Sequence, residues 1–307
     1  MVAITTELRR QLTVKRSSDR AGLIFRSLLV FSLLIALAIL IAVMLTALTR
    51  AWPILSERPI DFLTSKSSQD PGRAGVWQGI QGSVMLAAIT AGVAFPIGIG
   101  AAIYLEEYAG DTRFARFTQV VVRNLAGVPS IVYGLLGLAI FVGNLGGLTG
   151  GRSVIAGGLT LACLVLPIVI ITTQEALRAV PGELAQAGYG IGATQWEVIR
   201  GVVLPAAAPG ILTGTVLSIA RAAGEAAPIL VVGALTGVFQ TGTMSFLEQM
   251  QGFFTALPMQ IFAFTKQPSE IWGAHAAGAS VAILLVVIAL NSVAIYVRAR
   301  LDRNLRK

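Results

Sequence analysis

Charge is scarce in this chain of 307 residues: 12 % of them are charged against 55 % apolar. That is about half the charged share of a soluble globular domain, which argues against a soluble enzyme. One cysteine, Cys163, excludes an intrachain disulfide, and with one histidine, His275, there is no Cys/His metal cluster. Both residues read as structural. None of the lysines, Lys15, Lys66, Lys266 and Lys307, follows a glycine. The G-x-x-x-x-G-K-[ST] loop that cradles nucleotide phosphates is therefore missing. Gly98-Ile99-Gly100 lacks the third glycine of a dinucleotide fingerprint. Acid is also scarcer than base, with 15 Asp and Glu against 23 Lys and Arg, a net charge of +8 and a pI near 10.2. Composition alone would admit a nucleic-acid binder; the placement of the charges decides otherwise.

What the sequence has in quantity is long apolar runs. No charge falls between Arg26 and Arg50, Arg73 and Glu106, Arg123 and Arg152, Arg152 and Glu175, or Glu270 and Arg298. Residues 201–247 contain only Arg221 and Glu225. A bilayer core takes about 20 apolar helical residues, which predicts six spans near residues 26–48, 80–104, 125–143, 154–173, 209–235 and 277–298. The first run is too long for a signal peptide and reads as a membrane anchor. Trp and Tyr at 52, 77, 104, 272 and 296 fall near the span ends, where interfacial aromatics belong.

Basic residues are retained on the cytoplasmic side. With the N-terminus inside, cytoplasmic segments hold sixteen Lys and Arg, external segments six, and Arg221 lies within a span. Both termini are then cytoplasmic. The expected organisation is a cytoplasmic segment 1–25, a transmembrane domain 26–298 and a basic tail 299–307, with external loops 49–79 and 236–276. Glu106, Glu107 and Asp111, in the first cytoplasmic turn, read as solvated.

The internal loop, residues 174–208, reads as two short helices. Pro181 suits a helix start, and Gly188, Gly190 and Gly192 loosen the chain after it. Thr194 to Glu197 has the spacing of a capping box, and the helix that follows is expected to end before Pro205. Taken alone, these features also fit an amphipathic hairpin packed on its own membrane domain. The order Gln186-Ala187-Gly188, three residues, Gly192, nine residues, Val202-Val203-Leu204-Pro205 resembles the EAA loop of ABC importer permeases. Gln186 stands where that pattern has Glu, Gly188 where it has Ala, and Val202 where it has Ile. The resemblance implies that this loop couples the chain to an ATP-binding subunit.

Arg221 and Glu225 are spaced i, i+4 within the fifth span, which places both on one helical face within reach of each other. A charge at mid-bilayer costs roughly 2.5 to 3.5 kcal/mol on insertion scales. Pro228 lacks an N–H, and its ring opposes the carbonyl of Gly224, so a kink or break is expected beside the pair. One reading is a self-neutralising pair that fixes helix packing. The other is a substrate pathway, in which the forked guanidinium meets an oxyanion and Glu225 neutralises Arg221 when the pathway is empty.

Several strings together resemble the A-type permease subunit of the phosphate-specific ABC importer. Arg221-Ala222-Ala223-Gly224-Glu225-Ala226-Ala227-Pro228 is similar to its R-x-x-G-E-[TA]-A-P signature. Gly127-Val128-Pro129-Ser130-Ile131-Val132-Tyr133-Gly134, Leu166-Pro167-Ile168-Val169 and Ala256-Leu257-Pro258-Met259-Gln260-Ile261-Phe262 agree with it. Members can carry an Arg after the L-P-I-V-I string, where this chain has Ile171. The resemblance implies an all-α, six-helix permease of the type I importer fold in the inner membrane of a prokaryote, translocating inorganic phosphate without covalent chemistry of its own. It further implies a heterodimer with a second permease subunit, two ATP-binding subunits that hold ATP and Mg, and an extracytoplasmic phosphate-binding protein. This chain would bind no cofactor. The competing readings are a permease for another oxyanion, such as sulfate or molybdate, and an ion-coupled secondary transporter built on broken helices.

Overall fold

In the computed structural model, residues 20–234 and 250–305 are described, and among them the chain is helical with no strand. The segments 1–19, 235–249 and 306–307, which include most of the expected N-terminal segment and part of the second external loop, lie outside the described residues. Contact clustering divides the chain into two units, residues 1–49 and 50–307. The first contains most of helix α1 (Arg20–Glu57), whose residues 23–46 are exposed. Such an uninterrupted apolar surface suits acyl chains, because every backbone polar group is satisfied within the helix.

The second unit holds the other elements. Helix α2 (Pro59–Thr64) lies between the first and second spans. Helix α3 (Trp77–Ile103) runs on into a π-helical turn, Tyr104–Tyr108. Helix α4 (Arg113–Ala126) precedes α5 (Ser130–Gly137), which continues as a π-helical segment Leu138–Asn144. A one-turn helix α6 (Gly146–Thr149) leads to α7 (Val154–Arg178). Helices α8 (Gly182–Gly190) and α9 (Gln195–Val198) form the loop between the fourth and fifth spans. A π-helical turn, Ile199–Val203, then joins α9 to α10 (Leu204–Gly224). After a break come α11 (Ala227–Val232), α12 (Leu257–Thr265) and α13 (Ile271–Leu305).

Among the described residues five helices are long and apolar enough to cross a bilayer, and the bent pair α4 and α5 supplies a sixth span. The fold is all-α with six spans, as composition predicts. Its centre is a buried cluster of Ala94, Tyr133, Ala162, Val165 and Ala222, drawn from α3, α5, α7 and α10. Thr90 adds a hydrogen bond across α3 and α7, donating to the Gly158 carbonyl at 3.2 Å. Away from this centre, Ile54, Phe62, Val76, Leu257, Phe264 and Trp272 form a second cluster. His275, 3 % exposed, stands edge-on to Phe62 and Phe264 there. Arg58 donates to the carbonyls of Pro71, Gly72 and Ala74 and tethers the loop beside it.

Two expectations are corrected. The charge-free run after Arg123 places the third span at 125–143, but the chain turns at Gly127-Val128-Pro129 and the two arms meet at 103°. Proline restricts the residue before it away from helical geometry, so the helix stops short of Pro129. The Tyr133 hydroxyl donates to the Leu125 carbonyl at 2.8 Å and holds the bend. The span proper starts at Ser130.

The helix that starts at the capping box does not end before Pro205 either. It runs through the π turn, where the Leu204 N–H donates to Ile199 O, and continues to Gly224. A π turn widens the backbone at the point where a proline ring would clash with the preceding turn. Pro205 thereby takes a first-turn position, where its missing N–H leaves no bond unmade. The fifth span accordingly begins well before residue 209.

Candidate functional site

Arg221 sits in the last turn of α10, and Gly224 is the helix's final residue. Glu225 caps it in an extended conformation (φ −80°, ψ 115°), its N–H donating to the Ala222 carbonyl. Helix α11 then starts with Pro228 in its first turn and closes on Gly233 at φ +106°. The expected break is present, although Pro228 initiates a new helix rather than kinking the old one. Glu225 therefore lies just beyond the helix that carries Arg221, not on one continuous helical face with it. The two still pair, with Arg221 Nε 3.6 Å from Glu225 Oε1, and their side chains are 49 % and 20 % exposed.

The break is packed from behind. A Cβ placed on Gly134 of α5 would stand 2.9 Å from Pro228 Cα and 3.1 Å from Pro228 O, so only glycine lets these backbones approach so closely. On the protein side of Glu225, beside Ser83, Ala87, Leu161 and Pro258, there is a cavity of about 10 Å³. That is room for one water and not for a tetrahedral oxyanion. The Arg221 side chain is half-exposed.

The loop formed by α8 and α9 is a second candidate site. Gln186 and Ala187 of α8 are exposed, whereas Gly188 is buried, and a Cβ there would reach 2.8 Å from Val198 Cγ2. That packing keeps α8 helical to Gly190, past the glycine expected to loosen it. Gly192 turns the chain in the left-handed region at φ +87°. Both capping-box bonds form: the Thr194 N–H donates to Glu197 Oε2 at 2.8 Å and the Glu197 N–H to Thr194 Oγ1 at 3.4 Å. Val202, Leu204 and Pro205 are half-buried, in the joint that leads into the span. The motif thus divides into an outward part, Gln186 and Ala187, and an inward part that fixes the hairpin on the membrane domain. Around the outward part, Leu184, Tyr189, Ile191 and Trp196 are exposed, Ile191 at 87 %. A cluster of exposed apolar side chains is a feature of interaction surfaces.

Sequence reasoning missed the tie between this loop and the end of the second span. Glu106 accepts a bidentate pair of hydrogen bonds from Arg178, Nε to Oε1 at 2.7 Å and Nη2 to Oε2 at 2.9 Å. The Gln195 side chain donates to the Glu107 carbonyl at 2.6 Å. Glu106 is not the freely solvated carboxylate expected; its side chain is 19 % exposed. No local spacing could signal a bond between residues so far apart in sequence.

Residues 94–307 match the family described as the binding-protein-dependent transport system inner membrane component, a stretch that includes both the loop and the broken helix. The chain belongs to that family. Among similar proteins, this inner membrane component is 35 % identical to the phosphate transport system permease protein PstA 1 of Mycobacterium tuberculosis (strain H37Rv), over 76 % of this chain and 72 % of the relative. It is 32 % identical to the phosphate transport system permease protein PstA of Pasteurella multocida, over 81 % and 84 %. A probable ABC transporter permease protein, YqgI of Bacillus subtilis, is also 32 % identical, over 72 % and 71 %. Of solved structures, a bacterial alginate ABC transporter superposes with a TM-score of 0.60 at 13 % identity, over 94 % of this chain and 97 % of that one. The MetNI methionine ABC transporter gives 0.51 at 17 % identity, over 75 % and 97 %. These two carry the fold alone, the type I importer permease fold. Membership of a binding-protein-dependent family removes the ion-coupled secondary transporter as a reading.

Proposed function

We propose that this chain is the transmembrane permease subunit of an ATP-driven importer for inorganic phosphate. It is an integral membrane component of a binding-protein-dependent system, and relatives named as phosphate permeases align with it over most of its length. The observation that carries the reading is the Arg221–Glu225 pair at the α10–α11 break, where a cation stays half-exposed at membrane depth in a single long contact of 3.6 Å. A guanidinium is always charged and offers forked donors that match phosphate oxygens. Glu225 holds it while the pathway is empty and yields when the anion arrives. Gly224 and Pro228 free the backbone groups of the break to line the same path.

Because the cavity beside Glu225 inside this chain has room for no more than about one water, the pathway is completed by a second, related permease subunit facing Arg221. The energy enters at the cytoplasmic loop. Gln186, Ala187 and the exposed apolar row dock on an ATP-binding subunit that holds ATP and Mg, and Gly188, Gly192, Val202, Leu204 and Pro205 keep the hairpin rigid enough to pass the movement on. This chain performs no covalent step and binds no cofactor. Both termini lie in the cytoplasm of a prokaryote, the loaded binding protein docks on the external side, and the transmembrane domain spans 26–298 between a short N-terminal segment and a basic tail. The test is reconstitution of the full chain with a second permease chain, the ATPase and the binding protein in liposomes. ATP-dependent phosphate uptake is expected; uptake without ATP, or competition by sulfate as effective as by phosphate, overturns the reading.

A further inference from the structure

Helix α4 (Arg113–Ala126) has three faces. Ala115 and Val122 are buried against Ala102, Leu105 and Ile170 of the membrane domain. A second stripe holds Phe114, Phe117 and Leu125, which are 67 %, 67 % and 41 % exposed. Arg113, Arg116 and Arg123 recur at helical spacing along a third, also exposed. Arg116 meets Asp111 at 3.2 Å with both side chains largely exposed, so its guanidinium keeps donors to spare.

Orientation and depth follow from the neighbours. The axis of α4 stands at 103° to the α5 span that follows it. A span near the bilayer normal therefore lays α4 close to the membrane plane. Tyr104 and Tyr108, exposed at 53 % and 44 %, end the second span just before α4 begins. Exposed aromatics at a span end mark headgroup level. The bonds from Arg178 to Glu106 and from Gln195 to Glu107 put this end of the second span on the same side as the cytoplasmic loop.

We infer that α4 is an interfacial anchor that recognises anionic phospholipid headgroups of the leaflet facing the ATPase: the phenylalanine stripe enters the acyl boundary and the three arginines take headgroup phosphates. An apolar stripe beside a basic one, on a helix in the plane, is what such a surface requires. Only the naming of the leaflet rests on the permease reading. Lipid retention and depth are read without transport, so their failure is distinct from failure of that reading.

The test uses the assembled transporter in detergent with added phosphatidylglycerol or phosphatidylcholine, counting retained lipid by native mass spectrometry. Wild type is expected to prefer phosphatidylglycerol. Joint Arg113→Gln, Arg116→Gln and Arg123→Gln substitution is expected to lower the preference about fivefold per arginine, and lysine at the same positions to restore most of it. Unchanged preference in the glutamine variant overturns the proposal, as does displacement of the lipid by millimolar inorganic phosphate. A second measurement does not depend on those variants. A spin label on Phe117→Cys in a Cys163→Ala background, in nanodiscs without the ATPase, is expected to be open to oxygen and shielded from a water-soluble nickel complex. Shielding that appears only once the ATPase binds assigns the stripe to protein docking instead and overturns the lipid anchor.

Discussion

Among the described residues two Arg–Glu pairs have nearly equal exposure and very different geometry. Arg178 and Glu106, 46 % and 19 % exposed, join two elements through two short, parallel hydrogen bonds. Arg221 and Glu225, 49 % and 20 % exposed, are neighbours in sequence and make one contact of 3.6 Å. Exposure does not separate them; saturation does. The bidentate pair uses both carboxylate oxygens and a full side of the guanidinium fork, leaving little for a ligand. The looser pair leaves most of its donors free and gives up little when an oxyanion displaces the carboxylate. One pair is a joint, and the other is proposed as the seat of the anion.

The largest effect that would break this contrast is at the seat. Arg221→Ala is expected to cut phosphate uptake on the order of a hundredfold, the scale of losing charge-assisted hydrogen bonds to an anion, while leaving assembly with the ATPase intact by co-purification. Arg178→Ala should act differently. It is expected to lower thermal stability by about 1 kcal/mol, the upper end for a well-formed exposed pair, and to raise ATP hydrolysed per phosphate moved. Those two readouts are a melting curve and a paired uptake and hydrolysis assay. Uptake loss matching that of Arg221→Ala without any change in stability would erase the distinction.

How much of this was legible before the structure depends on whether the signal was local. The spans follow from charge-free runs, the capping box from Thr194 and Glu197, and the broken fifth span from Pro228, each a property of adjacent residues. The bend at Pro129 was hidden because the charge-free run continues through it. The helix through Pro205 was hidden because the π turn that admits the ring has no residue signature. Glu106 and Arg178 meet only through the packing of two spans, so the joint could not be read although the seat could.

Smaller tests sharpen the same comparison. Glu225→Gln keeps the seat but removes its competing charge. It is expected to bind phosphate more tightly and to slow turnover severalfold, measured as a fall in both apparent KM and maximal rate; wild-type values for both would remove the switching role. Gly134→Ala sets a Cβ against the Pro228 backbone, which cannot rotate away. The expected cost is about 1–3 kcal/mol in stability, with a matching fall in uptake. Gly188→Ala brings a Cβ to 2.8 Å from Cγ2 of the buried Val198, a side-chain rather than a backbone contact, and supplies the residue of the EAA pattern. Its expected effect on uptake is within about twofold, since a small side-chain adjustment costs little.

The most direct measurement compares the two arginines under the mildest change. Proteoliposomes holding the complete transporter with Arg221→Lys or Arg178→Lys are assayed for initial rates of ATP-driven phosphate uptake. Lysine keeps the charge and loses the fork. The account predicts at least a tenfold fall for Arg221→Lys, the scale of a lost bidentate contact, and a change within about threefold for Arg178→Lys, where an exposed pair retains its charge. Near-normal uptake by Arg221→Lys would contradict the claim that this guanidinium receives the anion.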